Sequence, residues 1–416
     1  MTRILFSTQD IGLRVFWNLF LHLRNAQLPV ESVGFFVTNE SGFKKFCESE
    51  PEFQRLVPHV ASEWDILAKA GRADLVDNEF ISRAEALIGD PTFWNAVICD
   101  RRFNYKIRAQ FRQDYSPRYR HDQLLKVLQV ALKEIDKLFE DVRPDVVIGL
   151  NAVTMFDWLI YLMARSRNIP YLQLKLTRIK NYVSLYSNPL GISPHLKDLI
   201  DRFRVEDSLT GRDLQALEEA RAFVAASTQG DLSYEGAIAK KGQVASKRKS
   251  AGTAIRAKRA WAVLRDSFAA DPHYPSPFRV NVELKIVRPI RKWRVRRWLS
   301  AETRSFDPGK IGDYALYPLN TEPEVALLVY GRTMRNQIET VRNCAAALPV
   351  TWKLVVKEHP NAIGYRSTGF YRKLKEIPNV VLARADSSTD ELVAKSRLVF
   401  VVFGTIGFEA ILKKIP

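Results

Sequence analysis

Two stretches near the end of the chain combine residue types suited to chemistry on a phosphate ester. The first is Lys357-Glu358-His359-Pro360, which follows the short apolar run Leu354–Val356. That run is too short for a helix and rich in β-branched residues, so it reads as a buried strand. Pro360 keeps His359 extended, so the imidazole projects from the strand end instead of starting a helix. A histidine beside a lysine suits an oxygen that gains charge as a phosphate departs. The alternative is an exposed histidine at a strand end. The second stretch is Gly404-Thr405-Ile406-Gly407, between the apolar run Val399–Phe403 and a helical pattern. Backbone N–H groups at a helix start attract phosphate, and glycine lets a ligand come close. Glu409 follows in the first turn, where it would accept from ribose hydroxyls or simply favour the helix dipole.

A third polar run, Asp386-Ser387-Ser388-Thr389-Asp390-Glu391, precedes a helix. Ser388 and Glu391 fit a capping box; Ser387 and Ser388 would equally serve as phosphate or base contacts. The chain has no Walker loop, H-E-x-x-H or nucleophile elbow, and no D-x-D carboxylate pair for a metal-bound sugar nucleotide. A bound nucleotide would have its phosphate neutralised by Lys, His and helix N-termini.

The spacing around these residues predicts the elements that hold them. From 311 onward, strands at Tyr314–Leu319, Trp352–Val356, Val380–Ala383 and Leu398–Phe403 alternate with helices at Asn336–Leu348, Phe370–Glu376, Thr389–Lys395 and Gly407–Lys414. Such alternation means a parallel sheet with helices on both faces, and ligands bind at the carboxyl ends of its strands. The chain opens on the same pattern: a strand at Arg3–Ser7, a turn with Asp10 and Gly12, a helix at Leu13–Ala26 and a strand at Val33–Val37. Residues 48–140 read as mostly helical, with breaks at Asp90-Pro91 and Ser116-Pro117. A strand at Val146–Leu150, a helix at Thr154–Asn168 and a strand at Tyr171–Leu174 then close a first Rossmann-like domain near residue 200.

The net charge of +17 is concentrated in one segment. Between 240 and 300, seventeen Lys/Arg stand against three acids, which accounts for 14 of those charges. Ser227–Gly252 reads as a linker, and Pro272, Pro275 and Pro277 as an irregular break. In the basic run that follows, Arg291, Lys292, Arg296 and Arg297 surround Trp293 and Trp298, which suits the surface of an anionic membrane. No recognisable nucleic-acid module accompanies the charge. The three cysteines are scattered and form no metal motif, which points to a reducing, cytoplasmic setting. No signal peptide or bilayer-length apolar run is present.

Four motifs in order carry a family likeness: Tyr317-Pro318-Leu319-Asn320-Thr321-Glu322-Pro323-Glu324, then Asn336-Gln337-Ile338-Glu339, then Lys357–Pro360, then Gly404–Ala410. Together they resemble the bacterial capsule polysaccharide biosynthesis family, which includes the Kdo transferases that use CMP-Kdo. The likeness is strongest over residues 311–416 and thinner over Pro144–Tyr182. The resemblance implies a GT-B-like α/β fold, with two Rossmann-like domains facing across a cleft, and an inverting, metal-independent glycosyltransferase without a cofactor. It makes His359 and Pro360 the motif that holds the donor phosphate, with Ser387, Ser388, Gly404, Thr405 and Glu409 lining the nucleotide-sugar site. Lys357 joins His359 as a catalytic candidate, and Glu358 and Gly407, within the same two motifs, are added to the nucleotide-sugar site. Asp10 is the geometric choice for the acid/base carboxylate; Asp157 is the second. The family usually continues with one more strand where this chain ends at Pro416.

These readings divide the chain into an acceptor domain (1–200), a basic helical and linker segment (201–310) and a nucleotide-sugar domain (311–416). The expected activity is transfer of a sugar from a nucleotide donor, CMP-linked in preference to UDP-linked, to a glycan or glycolipid acceptor. Cytoplasmic localisation at the inner membrane face and contact with other capsule assembly proteins accompany that reading, without nucleic acid. The alternatives are a sugar-nucleotide epimerase and a non-catalytic scaffold of capsule assembly.

Overall fold

The computed structural model describes residues 2–8, 10–104, 119–177, 182–191, 193–204, 209–228, 277–360 and 362–416. Ser116-Pro117, Arg178–Asn181, Pro272, Pro275 and most of the expected linker lie outside them. The chain divides into two compact units, residues up to 210 forming one (apart from a stretch outside the described residues) and residues from 211 the other.

The first unit is a six-stranded sheet. Its strands are β1 (Thr2–Thr8), β2 (Val30–Val37), β3 (His59–Ser62), β4 (Val146–Gly149), β5 (Tyr171–Leu176) and β6 (Val183–Tyr186), in the order β3-β2-β1-β4-β5-β6. All neighbours are parallel except β5 and β6. The central strand β1 has Leu5 and Phe6 fully buried, as a strand covered on both faces requires. Helix α1 (Asp10–Asn25) packs Phe16 and Trp17 against it. Helix α2 (His121–Val142) precedes β4, and α3 (Met155–Ser166) connects β4 to β5. Strand β3 interrupts the stretch read as helical. It is four residues long and begins with a histidine, so it carries little apolar signal.

The second unit contains helix α4 (Arg288–Glu302), then β7 (Tyr314–Pro318), α5 (Gln337–Ala346), β8 (Lys353–Lys357), α6 (Thr368–Lys375), β9 (Val380–Leu382), α7 (Thr389–Lys395), β10 (Leu398–Val399) and α8 (Thr405–Leu412). The strands form a fully parallel sheet in the order β10-β7-β8-β9. This repeats the order β4-β1-β2-β3 of the first unit. Leu354 and Val356 point to one face with Phe370, Tyr371 and Leu374, and Val355 to the other with Leu392, Val393 and Ala410. Both units are thus Rossmann-like and the fold class is α/β with parallel sheets.

Two elements differ from expectation for local reasons. Strand β10 is shorter than Leu398–Phe403. Phe400 N–H still donates to the Leu316 carbonyl at 2.9 Å, but the next donor on β7 would be Pro318, which has no N–H. Helix α4, read as part of a segment between domains, is built into this unit: Val295 and Leu299 are buried in its core, and Trp298 packs beside them.

Candidate functional site

Because the four strands of the second sheet are parallel, the loops after β7, β8, β9 and β10 emerge on one edge. The strand order reverses between β7 and β10, and such a switch point is where open α/β sheets bind ligands. At that point Asn320 Nδ2 donates to the Phe403 carbonyl at 2.5 Å, and the Phe403 ring stacks on Tyr330 with centroids 4.2 Å apart.

Strand alternation decides what the β8 terminus offers. Lys357 shares the face of Val355, the side of α7 and α8. It is only 4% exposed, and no hydrogen bond or ion pair engages its amine among the described residues. Burial lowers the Lys357 pKa, partly offset by Glu358 and Asp386. An unpaired buried cation is costly and is a mark of a site that awaits an anion. His359 lies at the surface, its backbone N–H donating to Glu358 Oε1 at 2.6 Å. Enough protein surrounds the imidazole for desolvation to lower its pKa, so the neutral ring prevails at pH 7. Pro360 follows His359, also exposed.

Glu358 takes the opposite face and corrects the expectation that it lines the nucleotide site. Its carboxylate is buried against Arg366 Nη1, 2.7 Å from each oxygen, and accepts from the Tyr371 hydroxyl at 2.6 Å. Arg366, 1% exposed, also donates to the Asn320 carbonyl and lies 3.5 Å from Glu322. Gln337 completes the cluster. Its Oε1 accepts from Asn320 N–H at 2.7 Å, and its Nε2 donates to the Asn320 carbonyl at 3.0 Å and to Glu322. Burial pushes Glu322 up to about 7, against the pull of Arg366 and Gln337. This cluster ties the loops after β7 and β8 to α5 and α6, and through Asn320 to the loop after β10. Asn320, Glu322 and Gln337 belong to the motifs that carried the family likeness. Arg366 and Tyr371 do not; the available signal was that a carboxylate with the parity of Val356 must find a buried partner.

The loop after β10 opens α8 without a side-chain cap, leaving its first N–H groups for another acceptor. A Cβ on Gly404 would meet nothing within 4 Å, so this turn is open. Gly407 has a packing role instead, since a Cβ there would lie 2.6 Å from Val401 Cγ2. Thr405 and Glu409 are partly buried in the same helix. Ser388 is the N-cap of α7, accepting from Glu391 N–H at 3.3 Å, and Ser387 sits in the turn before it.

In the first unit Asp10 is the first residue of α1, directly after β1; its side chain lies outside the described residues. Asp157 is not on an exposed helix face. It is 3% exposed, accepts from Ser7 Oγ at 2.8 Å and forms a capping box with Thr154. Nearby polar groups are similarly internal: Arg102 pairs with Asp100 at 2.6 Å and with Glu63 at 2.5 Å. In the basic helix, Arg291 pairs with Glu283 at 3.2 Å and Trp298 stacks on Tyr371, so neither belongs to an outward face. Lys292 is half-buried where Gly364, at φ 94°, brings the chain against it. Trp293, Arg296 and Arg297 are exposed.

The edge residues and motifs now have a counterpart among known proteins. Residues 243–416 match the family of capsule polysaccharide biosynthesis proteins. That match spans less than half of the chain. The match covers the second unit's sheet and all of the loops just described. No curated protein matches the chain. Among solved structures, UDP-GlcNAc 2-epimerase from Methanocaldococcus jannaschii aligns at 13% identity over 99% of this chain and 81% of its own, with a TM-score of 0.22. UDP-GlcNAc 2-epimerase from Neisseria meningitidis, bound to UDP-GlcNAc, aligns at 12% over 98% and 78%, also at 0.22. The glycotransferase of kitacinnamycin aligns at 13% over 100% and 79%, at 0.21. Scores this low transfer neither fold nor site. Among the described residues no cluster of metal-ligating side chains occurs, and no helix is long and apolar enough to cross a membrane.

Proposed function

We propose that the protein is a glycosyltransferase of capsular polysaccharide biosynthesis that binds a nucleotide sugar at the carboxyl edge of its second sheet. One observation carries the reading: Lys357 is a largely buried cation with no hydrogen-bond or ion-pair partner among the described residues, beside His359 and on the sheet face that also carries α8 with its uncapped N-terminus. Together they offer a charge, a neutral hydrogen-bond donor and backbone N–H groups to one phosphate. That small set suits the single phosphate of a CMP-linked sugar such as Kdo better than a diphosphate, which usually recruits an additional Arg or Lys clamp. Gly404 and Thr405 line the phosphate, and Ser387 and Glu409 serve the nucleoside.

In the transfer step an acceptor hydroxyl on a glycan or glycolipid attacks the anomeric carbon. The bond from that carbon to the phosphate oxygen breaks, and its electron pair leaves with the nucleotide, inverting the configuration. Lys357 and His359 stabilise the charge that develops on the departing oxygen. The proton of the acceptor passes to a carboxylate. The test is calorimetric titration and thermal shift with CMP, UDP and GDP without added metal. CMP is expected to raise the melting temperature, since a ligand that binds only the folded state stabilises it. Tight UDP or GDP binding without CMP binding overturns the donor assignment. Failure to bind any of the three overturns the transferase reading.

A further inference from the structure

Helix α4 and the π-helical turn before it, Glu283–Val287, have two distinct faces. The inner face is set by Val295 and Leu299 in the core, with Arg288 over the Tyr365 ring at 3.9 Å and Arg291 on Glu283. On the opposite side Ile286, Ile290 and Trp293 recur at spacings of four and three, and they are 55%, 49% and 61% exposed. The next residue along this stripe is Arg297, whose guanidinium lies 5.8 Å from the Trp293 ring centroid. Lys285, Arg294 and Arg296 flank it, all exposed. None of these four cations is ion-paired among the described residues, and no Asp or Glu occurs between 284 and 301.

A helix that packs on a core usually spends its apolar residues on one face. Here the core face is already occupied, and three further large apolar side chains stand in water among cations that have no ion-pair partner among the described residues. We propose that this outer face docks on the surface of an anionic lipid bilayer. Ile286 and Ile290 enter the boundary between headgroups and acyl chains, and the Trp293 indole sits at headgroup level. Lys285, Arg294, Arg296 and Arg297 meet lipid phosphates. The charge complementarity selects this occupant: an apolar protein groove would leave four cations unmatched, and a nucleic acid would leave both isoleucines in water. The stripe from 286 to 297 is about 17 Å long at the helical rise of ~1.5 Å per residue, which suits a shallow contact and not a span. The surface is independent of the nucleotide reading, so failure of one leaves the other standing.

The test is co-sedimentation of the full chain with vesicles of phosphatidylglycerol and phosphatidylethanolamine, compared with phosphatidylcholine. Binding is expected on the anionic vesicles only, and to fall as salt rises. Trp293→Ala is expected to weaken it, and the double variant Arg294→Glu/Arg297→Glu to weaken it on the order of 10-fold or more. Leu75→Ala, which removes a still more exposed apolar side chain from the other unit, leaves binding unchanged. All of these side chains face solvent, so each variant retains the wild-type melting temperature. Absence of binding to anionic vesicles at low salt overturns the proposal. So does equal binding to phosphatidylcholine, or binding that both Trp293→Ala and the double variant leave intact. Binding of a single-stranded RNA that the same variants abolish, with no vesicle binding, reassigns the face to nucleic acid and equally overturns it.

Discussion

Arg366 Nη1 lies 2.7 Å from both carboxylate oxygens of Glu358, and the two residues are 1% and 4% exposed. Removing one partner of such a pair leaves an uncompensated buried charge, at a cost of roughly 3–5 kcal/mol. Arg366→Met is therefore expected to lose stability on that scale in urea denaturation. The double variant Arg366→Met/Glu358→Gln should recover part of the loss, because no buried charge then lacks its partner at that position. A double variant no more stable than Arg366→Met would show that the pair is not the source of the cost.

Glu322 is raised by burial from 4.5 to about 7. A folded-state pKa above the unfolded value means that the folded protein holds the proton more tightly. Its contribution is then fully present below about pH 4.5 and is lost as pH rises to about 7. Over that window the change is on the order of 3 kcal/mol if the group acts alone. Glu322→Gln keeps the acceptor for Gln337 and removes the titration. The difference in unfolding free energy between wild type and Glu322→Gln should move in favour of the variant from pH 5 to pH 8. A difference that stays flat across that range would remove Glu322 from the pH dependence.

Lys357 and His359 are expected to separate in their effects. Burial depresses the Lys357 pKa, Glu358 and Asp386 offset this only in part, and no hydrogen bond or ion pair holds the amine among the described residues. Lys357→Met should therefore be as stable as the wild type or more so, while its affinity for the nucleotide falls. His359→Ala should weaken affinity less than Lys357→Met does and lower turnover by roughly 10²-fold, the scale for losing one donor to a developing oxyanion. Melting curves, nucleotide titration and turnover of both variants check the pair. A Lys357→Met protein with unchanged nucleotide affinity would reduce Lys357 to an unexplained buried cation.

The strands and helices of the second unit were legible because each is a short apolar run between turn residues, repeated in strict alternation. The capping role of Ser388 was legible for the same local reason. Glu358 was placed at the site with the motif that contains it, whereas successive strand residues face opposite sides of a sheet. Arg366 is eight residues from Glu358 in a loop, and nothing local marks it as internal. Trp298 and Trp293 looked equivalent in a basic run. Five residues of helix place them about 140° apart, so one reaches Tyr371 and the other reaches solvent.

Gly407 allows the packing explanation of the second glycine to be tested against a ligand-binding one. A Cβ there would stand 2.6 Å from Val401 Cγ2, and valine has only one side-chain torsion with which to yield. Within the helix, Gly407→Ala gains about 1 kcal/mol of helix propensity, while overpacking costs about 1–3 kcal/mol. A net loss of roughly 1 kcal/mol is expected, with weaker nucleotide binding because α8 is pushed from its strand. In a Val401→Ala background the clash disappears, so the same substitution should become stabilising and restore the affinity. Denaturation and nucleotide titration of the wild type, both single variants and the double variant close the cycle. If Gly407→Ala weakens nucleotide binding equally in both backgrounds, the glycine serves ligand approach directly and not the seating of α8.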